Sequence, residues 1–356
     1  MKNIKPFVTL LTVILLSIAG RTKLPAQEIE KVFFDKNYPV QSGAHLNITQ
    51  EFGNLNCKNW DKNEISVKLT ATVETRDQAK AEKEFNRVQW QVSGNDNEVI
   101  ASCKLTSQKN GNNRNRTNIH LKLEVFMPVS VSLDMKQKFG EAFVDEVDGQ
   151  ANVNSEYGSL NINTLKSPGN KIKIAYGEGH INHFEGGDIR ISYSSFSLFS
   201  SASFSLESKF SDIDIQKSNK IRMELEGGTL NLGSATSLSG TSKYSTLNIN
   251  TIQETLELTT AYGSASVSSV AAGFSYILID NQFGSVNLTI AKDAGYQIDA
   301  NMVYCTLNYP ESLAHFKYRE KTSGKSLYRG VIGNEESPES KVTIQSKYGS
   351  VNLKAR

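Results

Sequence analysis

Tyr157-Gly158-Ser159-Leu160-Asn161-Ile162 reads aromatic, Gly or Ser, small or acidic, then apolar, polar, apolar, and this six-residue pattern returns along most of the chain. It stands again as Tyr244-Ser245-Thr246-Leu247-Asn248-Ile249, Phe283-Gly284-Ser285-Val286-Asn287-Leu288 and Tyr348-Gly349-Ser350-Val351-Asn352-Leu353. Variants begin at Phe139, Tyr176, Tyr193, Phe210, Gly227, Tyr262 and Tyr304. Successive starts from 139 to 304 are 18, 19, 17, 17, 17, 17, 18, 21 and 21 residues apart. A fixed period of this size marks one supersecondary unit stacked on copies of itself.

Within each unit the third and fifth residues after the aromatic are apolar and the fourth is polar, as in Leu160/Ile162 around Asn161 and Leu230/Leu232 around Asn231. That alternation belongs to a strand with one buried face. A second alternating run leads into the aromatic, for example Lys171-Ile172-Lys173-Ile174-Ala175-Tyr176. Each unit is therefore two short strands joined at the Gly/Ser step, where a bulky side chain would clash; Cys305 in that slot shows that small size suffices. So few strands cannot bury an apolar face alone. The expected fold class is all-β, a parallel β-solenoid (β-helix) of about 17–21-residue coils stacked at the sheet spacing. Antiparallel hairpins closing a sandwich or barrel are the alternative, but they need two-residue Asn-Gly or Asp-Gly corners that do not recur here. The rings Tyr157, Tyr176, Tyr193, Phe210, Tyr244, Tyr262, Phe283, Tyr304 and Tyr348 are expected to form a structural ladder packed in the core. The asparagines are expected on the outward, solvated face.

The N-terminus reads as a secretory signal over residues 1–26: Lys2 and Lys5, an apolar run from Phe7 to Ala19, then Leu24-Pro25-Ala26 before Gln27. The run is shorter than the roughly 20 residues that span a bilayer. No Cys follows it, which argues against a lipid anchor, and no later stretch reaches membrane length. Removing four basic residues with the signal takes the 39 Lys and Arg to 35, against 37 acids, a balance of −2. A near-neutral chain lacks the clustered basic excess of a nucleic-acid binder. The expected location is exported, either periplasmic or at the cell surface. Of the three cysteines, Cys57 and Cys103 either pair or stay free thiols, and Cys305 is left over.

Residues 27–135 differ from the repeats. They hold one cassette, Phe52-Gly53-Asn54-Leu55-Asn56-Cys57, a strand over Ile65–Val73, and a helix over about 76–89 with Ala81, Phe85 and Val88 on one face. Strands are expected near Glu98–Leu105 and Ile119–Val125 around the polar loop Gln108–Thr117. This segment is expected to cap a solenoid over 136–356, whose other end carries an insertion over 310–340 before closing strands at Lys341–Ser346 and Ser350–Lys354.

The succession FGNLNCKNWDKNEISVKL, the charged helix, VFMPVSVSLDMKQKFGEAFV and the YGSLNIN-type cassettes resembles the adhesin-type β-strand repeat family of gram-negative envelope proteins. That family is largely of unknown function and is similar in style to the head domains of auto-transporter adhesins, which are right-handed parallel β-helices. The resemblance spans roughly 35–356. It implies architecture and a binding role, and it supplies no catalytic residues.

Nothing in the chain matches a nucleotide loop, a nucleophile elbow or a zinc-protease helix, and no cofactor is expected. Ionisable side chains concentrate in one place. Glu178 and Asp212 share the second position after the aromatic, and His180 and Asp214 share the fourth, with Ser195 and Ser197 on the coil between. If the coils register, these four form one outward surface patch with acids about 9–10 Å apart. That is the upper end of the span of an inverting carboxylate pair. The favoured reading is a non-enzymatic exported adhesin, or an envelope binding and scaffold protein, whose lateral face meets a glycan or an envelope protein. The alternatives are a polysaccharide-active β-helix enzyme using the patch, and a periplasmic structural or stress-linked envelope component.

Overall fold

The computed structural model describes residues 28–106 and 118–356. The signal segment 1–26 and the loop Gln108–Thr117 lie outside the described residues. Among the described residues the chain is all-β, with one α-helix and one short 3-10 turn at Glu311–Leu313. In order it forms β1 (Glu28–Pro39), β2 (His45–Gln50), β3 (Asn54–Asn59), β4 (Glu64–Glu74), α1 (Gln78–Phe85), β5 (Val88–Gly94), β6 (Glu98–Leu105) and β7 (Ile119–Met127). The repeats supply β8 (Ser132–Lys138), β9 (Glu141–Val147), β10 (Ala151–Glu156), β11 (Ser159–Leu165), β12 (Asn170–Ala175), β13 (Glu178–Ser192), β14 (Ser195–Ala261), β15 (Ser264–Val270), β16 (Tyr276–Gln282) and β17 (Ser285–Ile290). The chain closes with β18 (Tyr296–Val303), β19 (Thr306–Asn308), β20 (Ala314–Lys321), β21 (Lys325–Ile332), β22 (Lys341–Lys347) and β23 (Ser350–Ala355).

Two parallel ladders run through the molecule. The strands before each aromatic pair in the order β6–β2–β8–β10–β12–β13, and further on as β14–β16–β22–β18. The strands after it pair as β7–β3–β9–β11–β13–β14, then β14–β15–β17–β23–β19. β14 winds through several coils, turning at the left-handed Phe210, Gly227, Gly228 and Tyr244, and its side chains bond to one another in steps of 17 residues, such as Ser201 to Ser218 and Asn231 to Asp214. Alternation along every rung sends one set of side chains into a single core, for example Ile189, Leu206, Met223 and Ile279.

Three expectations need correction. The sheet is mixed, not parallel throughout: β1–β4–β7 and β5–β6 pair antiparallel at one end, as do β18–β21–β20 at the other. These strands bond the outer edges of the terminal rungs, which would otherwise present unpaired backbone groups. The rungs also do not follow chain order. β2 and β3 lie between β6/β7 and β8/β9, while β22 and β23 lie between β16/β17 and β18/β19. Third, the helix is shorter than the pattern suggests. Asp77 caps its N-terminus by accepting from the backbone N–H of Ala79 and Lys80, and by Val88 the chain is already in register with Leu105 as a strand.

Candidate functional site

Each aromatic sits at the corner between the two ladders, and its backbone explains where the ring goes. Ten of them, from Phe139 to Tyr348, have φ between 47° and 58°. This left-handed conformation costs an L-residue roughly 1–2 kcal/mol. It breaks the alternation of the approach strand and turns the ring outward. The expectation of a core ladder is therefore wrong: these ten rings are 45–65 % exposed. The residue that follows is held small by contact between rungs. A Cβ added at Gly158 would lie 1.9 Å from the carbonyl oxygen of Gly140, and one at Gly177 would lie 2.1 Å from that of Gly158. Where Ser takes the slot its hydroxyl turns back to the backbone, Ser194 Oγ donating to Ser192 O at 2.7 Å.

The rings stack face to face along the molecule. Phe52, Phe139, Tyr157, Tyr176, Tyr193 and Phe210 form one run, and Tyr244, Tyr262, Phe283, Tyr348 and Tyr304 form another. Centroid separations are 4.9–5.5 Å. Between the two runs the cassette carries Gly227 in place of a ring.

The outward polar positions also run from rung to rung. Asn248 Nδ2 donates to Asn231 Oδ1 and Asn231 Nδ2 to Asp214 Oδ1, each at 2.9 Å. Asn182 donates to Asn163 at 3.2 Å and Asn163 to Asp145 at 2.8 Å. Because a carboxylate only accepts, Asp214 and Asp145 fix the direction of their ladders. These asparagines do face outward, but they are bonded to one another and to Asp214 and Asp145.

Glu178, His180, Asp212 and Asp214 line one shallow groove together with Ser195, Ser197 and Asn161. The pairing of Glu178 with Ser195 and His180 with Ser197 produces this. Within the groove the side chains bond along their own column, and His180 also reaches Asn182 of the next one. His180 Nδ1 lies 2.7 Å from Ser197 Oγ and its Nε2 2.7 Å from Asn182 Oδ1, while Asp214 is engaged by Asn231. His183 pairs with Glu185 at 3.4 Å, beside the groove. Among the described residues no group of three or more His, Cys, Asp or Glu is arranged to hold a metal ion. The groove is a shallow strip of carboxylate, imidazole, hydroxyl and amide groups.

Cys57 and Cys103 are buried free thiols, and Cys305 is a third, donating to Ser346 O at 3.1 Å. Burial pushes both Cys57 and Cys103 up from 9.0 to about 12, so they are protonated and inert at neutral pH. Among the described residues no helix is long and apolar enough to cross a membrane.

No protein-family model matches the chain, and no curated protein matches it. Among solved structures it is similar to a candidate cell adhesion protein from Clostridium sporogenes, at 10% identity over 93% of this chain and 100% of that one, with a TM-score of 0.21. It is also similar to a candidate adhesin from Parabacteroides merdae, at 9% identity over 74% and 96%, TM-score 0.35. A candidate lipid binding protein from Parabacteroides distasonis matches at 13% identity over 92% and 97%, TM-score 0.27. Likeness at these scores carries no argument about role.

Proposed function

We propose that this chain is an exported, non-enzymatic binding protein of the cell envelope, adhesin-like or scaffolding, built as a β-solenoid with residues 27–135 as its N-terminal cap. The two parallel ladders are the coil faces of that solenoid. One observation carries the functional reading: outward side chains engage each other along the stack, ring on ring and amide on amide, in place of converging on a walled cleft. Such a surface is rigid before any partner arrives, so little conformational entropy is lost on contact. The partners that suit it are a glycan or an envelope protein lying along or across the rungs.

A second reading follows from the groove of Glu178, His180, Asp212 and Asp214, a carboxylate-rich strip on a fold able to meet polysaccharide. Cell fractionation with protease shaving, combined with a test of adherence to glycan-coated surfaces, checks the binding reading. The quadruple Ala variant at those four positions checks the second. Wild type and variant are expected to adhere alike and to release no reducing ends or unsaturated products from a polysaccharide panel, with or without calcium. Turnover that only the wild type supports would overturn the non-enzymatic reading.

A further inference from the structure

Stacked rings hide their faces from solvent and present only their edges. A ladder of this kind is therefore a poor platform for a ligand that needs a ring face. The exception is the interruption at Gly227. Tyr244 stacks on Tyr262 on one side only, because the rung on its other side has no ring. It is 63 % exposed, against 54 % or less for every ring within the two runs other than terminal Tyr304. Tyr304, at the far end, has Gly324 against its ring, since a Cβ there would meet it at 2.9 Å.

The notch is one rung wide. Phe210 and Tyr244 stand two rungs apart, roughly 10 Å at sheet spacing, and the Gly227-Gly228 backbone forms the floor. Phe210 leans over that floor: a Cβ at Gly227 would lie 2.7 Å from its ring. The lean leaves the Tyr244 side open. The sides of the notch are polar. Lys209, Glu226 and Lys243 precede the ring positions of the three rungs, all exposed, with Lys209 Nζ 3.7 Å from Glu226 Oε2. Thr229 and Thr246 hold the outward positions beyond the corner.

We propose that this notch is a saccharide-binding site, with the open face of Tyr244 as the platform for one pyranose ring. A pyranose presents an apolar C–H face to an aromatic ring and hydroxyls at its rim, where Lys243 and Glu226 on one side and Thr246 and Thr229 on the other offer donors and acceptors. The rings on both sides rise beside the notch, so a broad protein surface is held off, while a glycan crossing the ladder or ending in the notch enters it. This deepens the binding reading above and rests on it for the source of the glycan.

The test titrates the purified protein with glucose, galactose, mannose, N-acetylglucosamine and galacturonate and their disaccharides. Ligand-observed saturation-transfer NMR and calorimetry report binding, and thermal melts monitor the fold. Two variants abolish the site by opposite routes. Gly227→Tyr supplies the missing ring at a position that already has left-handed φ, 75°. Tyr244→Ser removes the platform. Wild type is expected to bind at least one pyranose, and each variant to lose tenfold or more in affinity while keeping a cooperative melt. If Gly227→Tyr fails to fold, Tyr244→Ser decides alone. Absence of saccharide binding by the wild type, or binding that both foldable variants retain, overturns the notch. Adherence of producing cells relative to a deletion strain is measured in parallel. Adherence that survives both variants leaves the general binding reading standing without the notch. Notch-dependent sugar binding without adherence removes the adhesin reading alone.

Discussion

Replacing Tyr176 separates the two opposing effects at a ladder position. Its ring lies between Tyr157 at 5.0 Å and Tyr193 at 5.3 Å, it is 51 % exposed, and its φ is 55°. Half of a large aromatic is about 100 Å² removed from water, worth about 2.5 kcal/mol. Two stacked contacts add about 0.5–1.5 kcal/mol each. Tyr176→Ala should therefore cost about 3.5–5.5 kcal/mol and still leave an L-residue in the left-handed region. Tyr176→Gly loses the same contacts but recovers about 1–2 kcal/mol of backbone strain, less about 0.5–1 kcal/mol for glycine's greater freedom when unfolded. Glycine should thus be the milder substitution by about 0.5–1 kcal/mol, the reverse of the order at ordinary strand positions. Urea denaturation of both variants, compared by midpoint at constant slope, reads the difference. If alanine proves as stable as glycine or more so, the left-handed corner is not what aims the rings outward, and the account of the ladder falls with it.

Deleting 341–356 removes one rung from each ladder and leaves β16, β17, β18 and β19 with unpaired edges; aggregation in size-exclusion chromatography is expected, and a monodisperse product would contradict the interleaved order. With thiol reagent at pH 8, Cys305 should react first, while Cys57 and Cys103 react only when denaturant opens the core. Because the folded thiols titrate near 12, their contribution to stability is complete below the unfolded value near 9 and is lost as pH rises toward 12, so alkaline melts should fall more steeply than those of a Cys57→Ala, Cys103→Ala variant.

Much of the repeat was legible because it is local. The 17-residue step placed Glu178 over Ser195 and His180 over Ser197, and the period-two pattern assigned Leu160, Ile162, Ile189 and Ile191 to the core. The same rule failed at the rings. In Asp188-Ile189-Arg190-Ile191-Ser192-Tyr193 alternation points Tyr193 inward, and only a left-handed φ at Tyr193 reverses it. Gly227 was the available signal, since a position that accepts glycine among ten rings is one where backbone conformation outweighs burial. The helix ended early for a tertiary reason: Val88 is taken by pairing with Leu105, which helical periodicity cannot report. The partnership of Phe52 with Phe139 was likewise invisible, because the two cassettes are alike and nothing local states that 86 residues of sequence separate them.

That looping has a physical logic at both ends. β17 ends at Ile290 and β18 begins at Tyr296, so a short turn climbs two rungs and leaves a vacancy that β22 and β23 later fill. A strand entering such a vacancy pairs on both edges at once: Val342 is in register with Ile277 on one side and Ile298 on the other. At the opposite end Leu46 pairs with both Val99 and Leu133. A simple stack frays from its last rung, because that rung is held on one side only. Here the terminal rung cannot leave without also freeing the inserted one and the antiparallel strands bonded to it. Closing loops of this length carries an entropic cost that grows only as the logarithm of their size, whereas each inserted residue gains backbone pairing on two sides. The ends are thereby made cooperative with the middle. The outward faces between them, including the notch at Gly227, are held on a frame whose ends are tied in.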